Sequence, residues 1–138
     1  MLKNILQQRH LILASRSPRR KSILQDLNLE FEIRTKKIDE SYPNHLKGKE
    51  ISEYLAKLKA FPFLSELNPN QILITADTIV WLQGKALGKP DSVDEAIALL
   101  KLISGKTHEV ISSVALTTTS KQVIVSDVTK VIFKELSD

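Results

Sequence analysis

The sequence contains no cysteine, and this absence excludes disulfide bonds, thiolate nucleophiles and cysteine-ligated metal sites. It has only four glycines, too few for a phosphate-binding loop built from glycine backbone, and neither a Walker-type loop nor a dinucleotide-binding fingerprint occurs. The helical His-Glu motif of zinc proteases is also missing. Any polyphosphate would therefore be held by Arg, Lys and Ser side chains and by a helix end.

Long apolar runs are missing as well. No stretch is long enough to cross a membrane, and the polar residues 1–10 do not resemble a secretory signal, so we expect a cytoplasmic protein with no membrane partner. With 42% hydrophobic and 26% charged residues, the composition fits one domain, 1–138, with a single core. The net charge of +4 permits a polyanionic ligand, but the charges are spread along the chain and nucleic acid is not favoured as a partner.

The hydrophobic pattern predicts an α/β fold, a mixed twisted sheet flanked by helices. Predicted strands cover 11–14, 31–35, 72–76 continuing through 78–82, 85–87, 107–116 and 122–133, and predicted helices cover 18–27, 50–60 and the segment between Ser92 and Gly105. The last hairpin leaves an uncovered edge. We interpret the chain as truncated at its C-terminus, or as using that edge in a dimer.

The turn between the first strand and the first helix predicts an anion site. Ser15 and Ser17 precede Pro18, which suits a first helical turn, and Arg19 and Arg20 follow. Free backbone N–H groups and the helix dipole favour an oxyanion there, and guanidinium groups favour phosphate in particular. The alternative is a capped surface helix whose basic first turn is solvated.

Four further residues are candidates for chemistry. Asp77 follows an apolar run and could bind a hard cation or activate water, although an Asp that caps its own turn looks the same in sequence. Glu40 lies in a polar loop and is also explained as a solvated carboxylate. Lys59 could be a snorkelling helix residue, and Lys89, between Gly88 and Pro90, could simply belong to a turn.

Five segments, in this order and spacing, resemble the Maf family of nucleoside triphosphate pyrophosphatases. They are Leu13-Ala-Ser-Arg-Ser-Pro-Arg-Arg20, Leu55-Ala-Lys-Leu-Lys-Ala60, Ala76-Asp-Thr-Ile-Val80, Gly88-Lys-Pro90 and Ser104-Gly-Lys-Thr-His-Glu-Val110. The resemblance implies a Maf/ITPase-like fold and hydrolysis between the α and β phosphates, assisted by a divalent cation, Mg²⁺ or Mn²⁺. It also suggests a homodimer.

The resemblance assigns roles to individual residues. It implies that Asp77 is the general base and that Glu40 and Asp77 hold the metal, with Lys59 and Lys89 as further catalytic residues. Its substrate contacts map onto Ser15, Ser17, Arg19, Arg20 and Thr78. Thr78 resembles the subgroup that acts on dTTP and UTP, with Arg19 as its partner in selectivity.

The chain departs from the family pattern in two places. Ser112-Ser113 stands where Thr-Gly is usual, and the final segment of the family pattern, which carries a base-selective Gln, is absent. The competing hypothesis is therefore a non-catalytic binding protein on the same scaffold, inactive through loss of that segment. Retention of Glu40, Asp77 and both lysines favours the enzyme.

Overall fold

A six-stranded mixed sheet organises residues 9–87 and 92–132, which the computed structural model describes. The strand order is β2-β1-β3-β5-β6, and β4 pairs with β3. The strands are β1 His10–Leu13, β2 Phe31–Ile33, β3 Gln71–Leu82, β4 Lys85–Leu87, β5 Thr107–Thr117 and β6 Gln122–Ile132. The helices are α1 Pro18–Asp26, α2 Lys49–Ala60 and α3 Val93–Ile103, and a 3₁₀ helix, Phe61–Glu66, follows α2. The predicted α/β fold is confirmed.

Strand β3 is the centre of the sheet and its pairing leaves a gap. One edge pairs antiparallel with β5 from Leu73 to Trp81. The other edge pairs parallel with β1 only as far as Ile74, and β4 returns to it at Val80. Between Ile74 and Val80 that edge of β3 has no strand partner in the described chain.

Helix α2 covers one face of the sheet beside this gap. Ile51 and Leu55 pack against Ile79 of β3 and Ile111 of β5, all of them buried. The hydroxyl of Thr75, on the same face, donates to the carbonyl of Ala56 at 2.7 Å. Side chains alternate along a strand, so Asp77, between Thr75 and Ile79, also lies on the α2 face.

The opposite face is more open than the periodicity of the helices predicts. Leu24 of α1 packs with Leu11, Leu29 and Ile72, but Ile23 and Leu27 are half exposed. Leu29, from the loop after the helix, is buried against Leu11 and Ile72. Helical spacing places Ile23, Leu24 and Leu27 on one face, but that face is only partly covered.

The apolar side chains of α3 are also mostly uncovered. Within this helix only Ile103 is buried, and Ile97 and Leu100 are exposed. The exposure has a direct cause, because α3 makes no extensive contact with another described element.

The predicted local signals are otherwise confirmed. Ser17 caps α1 by accepting from the backbone N–H of Arg20, and Ser92 caps α3 in the same way from Glu95. The β3–β4 turn has positive φ at both Gln83 and Gly84, as a type I′ hairpin requires. Strand β2 ends at Ile33, two residues earlier than predicted.

Among the described helices, none combines the length and the apolarity that crossing a bilayer requires. The Gly88-Lys89-Pro90 turn and the end of the last predicted strand at Phe133 lie outside the described residues.

Candidate active site

Lys59 takes the place of a strand partner at the gap in β3. The carbonyl of Ile74 accepts from Ala14 N–H on this edge, so the carbonyl of Ala76, two residues on, points to the same side. Lys59 Nζ, from the last turn of α2, donates to that carbonyl at 3.0 Å. The ammonium group of Lys59 thus provides the hydrogen bond that the carbonyl of Ala76 lacks from a neighbouring strand, and it also lies beside Asp77.

The same ammonium joins two carboxylates. Lys59 Nζ lies 2.9 Å from Asp77 Oδ1 and 3.1 Å from Glu40 Oε1. The prediction that Asp77 stands at the end of a strand is wrong, because it lies inside β3, opposite Ser113 of β5. It borders the gap nevertheless, because β1 stops at Leu13 and leaves this part of β3 uncovered.

Asp77 has the environment of a proton acceptor. Burial raises the pKa of its carboxyl group, and the charge and hydrogen bond of Lys59 lower it. The like charge of Glu40 raises this pKa further, and the charge of Arg20 lowers it. Its second oxygen, Oδ2, is buried and has no hydrogen-bond partner in the described structure. A buried carboxylate oxygen without a donor favours uptake of a proton or contact with a cation.

The donor set fits a divalent cation held in part by substrate. Glu40 and Asp77 offer only oxygen ligands, and Asp77 Oδ2 is uncommitted. No group of three His, Cys, Asp or Glu side chains in the described residues forms a complete metal site. Mg²⁺ is typically bound by one or two carboxylates plus phosphates and water, so two carboxylates suffice for it.

Arg20 is held from two sides at the open end of the site. Its Nη1 donates to Ser15 Oγ at 3.3 Å and its Nη2 to Thr78 Oγ1 at 3.2 Å. Thr78 Oγ1 also lies 3.0 Å from Ser112 Oγ. Burial lowers the pKa of Arg20, and the charges of Asp77 and Glu40 oppose this. The guanidinium is thus fixed before any ligand arrives, with three further N–H groups to offer.

A groove of about 480 Å³ opens beside these residues. One wall is the β1–α1 turn with Ser15, Arg16 and Ser17, and the other is the loop after β2 with Lys36, Lys37 and Glu40. Arg20 and Lys59 also line it, and Asp77 lies behind Lys59, one hydrogen bond away. Cations therefore outnumber carboxylates, as a polyphosphate site requires.

A hollow of similar size, about 500 Å³, lies at the other end of β1 and β2. Two carboxylates, Glu30 and Glu32, line it beside Arg9 and His10, and His10 is bound to Glu32. Its mixed charge and its distance from the gap in β3 make it the poorer candidate for an anion.

Two predicted site residues are not brought together with the rest. Arg19 is exposed on α1 and does not line the groove, and the contact with Thr78 is made by Arg20 instead. Lys89 lies outside the described residues. The roles predicted for both stay predictions.

Sequence reasoning missed a row of hydroxyls, two of them buried, that begins at Ser113 opposite Asp77. Ser126 donates to Glu53 Oε2 at 2.6 Å. Ser126 Oγ also lies 2.7 Å from Ser113 Oγ, which lies 2.6 Å from Ser52 Oγ, and Ser52 donates to the carbonyl of Lys49 at 3.1 Å. The row links α2 to β5 and β6. Ser52 and Glu53 are adjacent, but Ser113 and Ser126 are distant from them in sequence, and no local pattern indicates the contact.

The fold resembles two solved structures. The Staphylococcus aureus Ham1 protein aligns with 88% of this chain and 70% of its own, with a TM-score of 0.58 and 10% identity. A Mycobacterium abscessus nucleoside-triphosphatase / dITP/XTP pyrophosphatase aligns with 88% and 72%, with a TM-score of 0.52 and 17% identity. At such identities the likeness concerns the fold alone. The protein therefore has a Ham1-like α/β fold, with a cationic groove beside its central strand.

Sequence comparison then identifies the family. A family model described as Maf-like protein matches residues 10–138, and the chain belongs to the Maf family. It is 52% identical over 138 residues to a dTTP/UTP pyrophosphatase of Flavobacterium johnsoniae and 49% identical to one of Flavobacterium psychrophilum. The whole chain aligns in both cases and spans 71% of each relative.

Proposed function

We propose that this protein hydrolyses nucleoside triphosphates, with dTTP and UTP as first candidates, to the monophosphate and inorganic pyrophosphate. The observation that carries the proposal is Lys59 bridging Asp77 and Glu40 beside a cation-lined groove. The names of the relatives indicate the same reaction. They do not favour the non-catalytic alternative.

In the proposed mechanism Asp77 is the general base. Its buried carboxylate takes a proton from water as the water oxygen attacks the α phosphorus, and the bond to the bridging oxygen breaks, so that its electron pair leaves with pyrophosphate. Lys59 fixes Asp77 in place and keeps it ionised against the effects of burial and of Glu40. A raised pKa makes Asp77 a stronger base than an exposed aspartate, provided that the pH is high enough to ionise it.

The other groove residues bind and orient. Ser15, Ser17 and Arg20 are proposed phosphate contacts, with Thr78 at the nucleoside end, and Glu40 and Asp77 would hold Mg²⁺ or Mn²⁺. A bound divalent cation would neutralise phosphate charge and lower the pKa of the water. A cytoplasmic location, a homodimer and the part played by Lys89 stay predictions from the sequence.

The test is release of pyrophosphate from dTTP, UTP, CTP and GTP in the presence of Mg²⁺. We expect dTTP and UTP to be the best substrates. Replacing the base, Asp77→Asn, should lower kcat by about 10²–10⁴-fold and change nucleotide affinity little. Asp26→Asn, an exposed carboxylate at the end of α1, is the control. No release from any triphosphate would refute the function, and full turnover by Asp77→Asn would remove Asp77 as base.

A further inference from the structure

The cation nearest to Asp77 is largely committed within the protein. An ammonium group has three N–H bonds. Lys59 donates to Asp77 Oδ1 at 2.9 Å and to Ala76 O at 3.0 Å, and its Nζ forms an ion pair with Glu40 Oε1 at 3.1 Å. Other groups must therefore hold most of the charge of a polyphosphate in this groove.

Lys36 is also committed. Its ammonium donates to the carbonyl of Pro62 at 3.0 Å, pairs with Glu66 and lies 4.9 Å from the centre of the Phe63 ring. The pairing with Glu66 neutralises its charge, so that Lys36 fastens the loop after β2 to the 3₁₀ helix. The ion pair leaves Lys36 little positive charge for a ligand.

Arg16 and Lys37 are different, because both are exposed, both line the groove and neither forms an ion pair within the described residues. They stand on opposite walls. Leu13 and Ile33 are register partners at the ends of the parallel strands β1 and β2, and Arg16 and Lys37 follow them by three and four residues. The ends of β1 and β2 thus place two uncompensated cations across the mouth of the groove.

The order of the strands gives the groove a direction. Neighbouring strands are about 4.8 Å apart, so the sequence β3-β1-β2 carries the groove about 10 Å from Asp77 towards Lys37. Thr78 and Ser112 lie at the β3 end. Within the described residues, the groove gives a triphosphate whose α phosphorus is near Asp77 room for its tail towards β2.

We propose that Arg16 and Lys37 form a subsite for the two terminal phosphates of the substrate, the part that leaves as inorganic pyrophosphate. The identity of the substrate rests on the function proposed above. An Arg fork and a Lys point charge on opposite walls suit a tetrahedral polyanion, which accepts hydrogen bonds on all sides. They also stabilise the negative charge that collects on the leaving oxygen as the bond to the α phosphorus breaks.

The experiment measures binding of inorganic pyrophosphate by calorimetry in Mg²⁺ buffer, which needs no turnover. We expect Arg16→Ala and Lys37→Ala each to weaken binding about threefold and the double variant about tenfold, as for exposed charged contacts. The monophosphates dTMP and UMP should bind the double variant as they bind the wild type. Lys37→Arg, which keeps the charge, should restore binding, and Lys121→Ala, in the β5–β6 turn, is the control for net charge.

Two results would overturn the subsite. Either pyrophosphate binds the double variant as tightly as the wild type, or monophosphate and pyrophosphate weaken equally. Absence of pyrophosphate binding to the wild type at millimolar concentration would overturn it too. If pyrophosphate binding depends on Arg16 and Lys37 but no triphosphate is hydrolysed, the subsite stands and the proposed function fails, so the two failures are distinguishable.

Discussion

Asp77 and Thr78 are neighbours in β3, yet they lie on opposite faces of the sheet in opposite surroundings. Asp77 is 7% exposed on the face that α2 covers, paired with Lys59. Thr78 is exposed on the other face, where its contacts are Arg20 and the hydroxyl of Ser112. The covered face holds the carboxylate of Asp77 in its ion pair with Lys59, and the open face holds the hydroxyls of Thr78 and Ser112 and the guanidinium of Arg20.

The comparison shows how a strand interior becomes a site. Strand β3 runs straight through, but its pairing with β1 ends at Ile74 and its pairing with β4, within the described residues, reaches no further than Val80. The gap exposes backbone that another strand would otherwise pair, and Lys59 occupies it from α2. In the proposed function, proton transfer on one face and substrate recognition on the other would follow from the alternation of a single strand.

The largest effect should come from the covered face. Lys59→Met removes the ammonium but keeps much of the side-chain volume, so Asp77 and Glu40 are left as uncompensated like charges. We expect kcat to fall by about 10²-fold or more. The acid limb of the kcat/KM profile should move to higher pH, because Lys59 lowers the pKa of Asp77 and a general base must be ionised. Pyrophosphate release measured across pH checks this.

The control is Lys57→Met, an exposed lysine on the same helix, for which both quantities should stay unchanged. Glu40→Gln should shift the acid limb of the pH profile in the opposite direction. It removes a like charge that raises the pKa of Asp77, so the acid limb should move to lower pH. An acid limb that stays in place in both Lys59→Met and Glu40→Gln would show that Asp77 is not the titrating base.

A smaller and different effect is expected on the open face. Arg20→Lys keeps the charge but cannot reach both Ser15 and Thr78, so KM should rise about tenfold while the acid limb stays in place. Steady-state kinetics with dTTP and UTP measure this. The comparison variant is Arg19→Lys, at the neighbouring exposed position, where we expect a much smaller change. A larger effect at Arg19 would support the selectivity partner that the sequence predicts.

Much of the fold was predictable because its signals are local. Ser17 with Pro18, Ser92 and Gln83-Gly84 each specify a cap or turn by their own backbone chemistry. The long hairpin of β5 and β6 follows from its alternating pattern. Burial of α1 and α3 was not predictable, because periodicity shows which residues share a face and not whether anything covers that face.

The site was predictable in part. Asp77, Glu40 and Lys59 were singled out, and the structure brings them together, but the position of Asp77 inside β3 depends on where β1 and β4 stop, which is a tertiary fact. Arg16 and Lys37 look like solvated loop charges in sequence. The signal that could have found them is topological, because loops after adjacent parallel strands meet at one edge of the sheet.

The smallest effect on activity should come from two adjacent serines of β5. Ser113 lies opposite Asp77 and Ser112 lies opposite Thr78, so the two serines differ in burial as Asp77 and Thr78 do. Ser113 is fully buried between Ser52 and Ser126, so Ser113→Ala removes two hydroxyl contacts and should lower the free energy of unfolding by about 1–3 kcal/mol. Within the described residues the Ser112 hydroxyl bonds the exposed Thr78 hydroxyl alone, so Ser112→Ala should cost less than about 0.5 kcal/mol. Urea unfolding measures both.

The kinetic effects should have the reverse order. Ser112→Ala releases the Thr78 hydroxyl that holds Arg20, so KM should rise a few-fold, whereas Ser113→Ala should keep the KM of the wild type at a temperature where it is folded. Each variant thus serves as the control for the other. Because a one-residue shift of β5 would exchange the faces of the two serines, a larger stability loss at Ser112 than at Ser113 would refute the register on which both faces of the site depend.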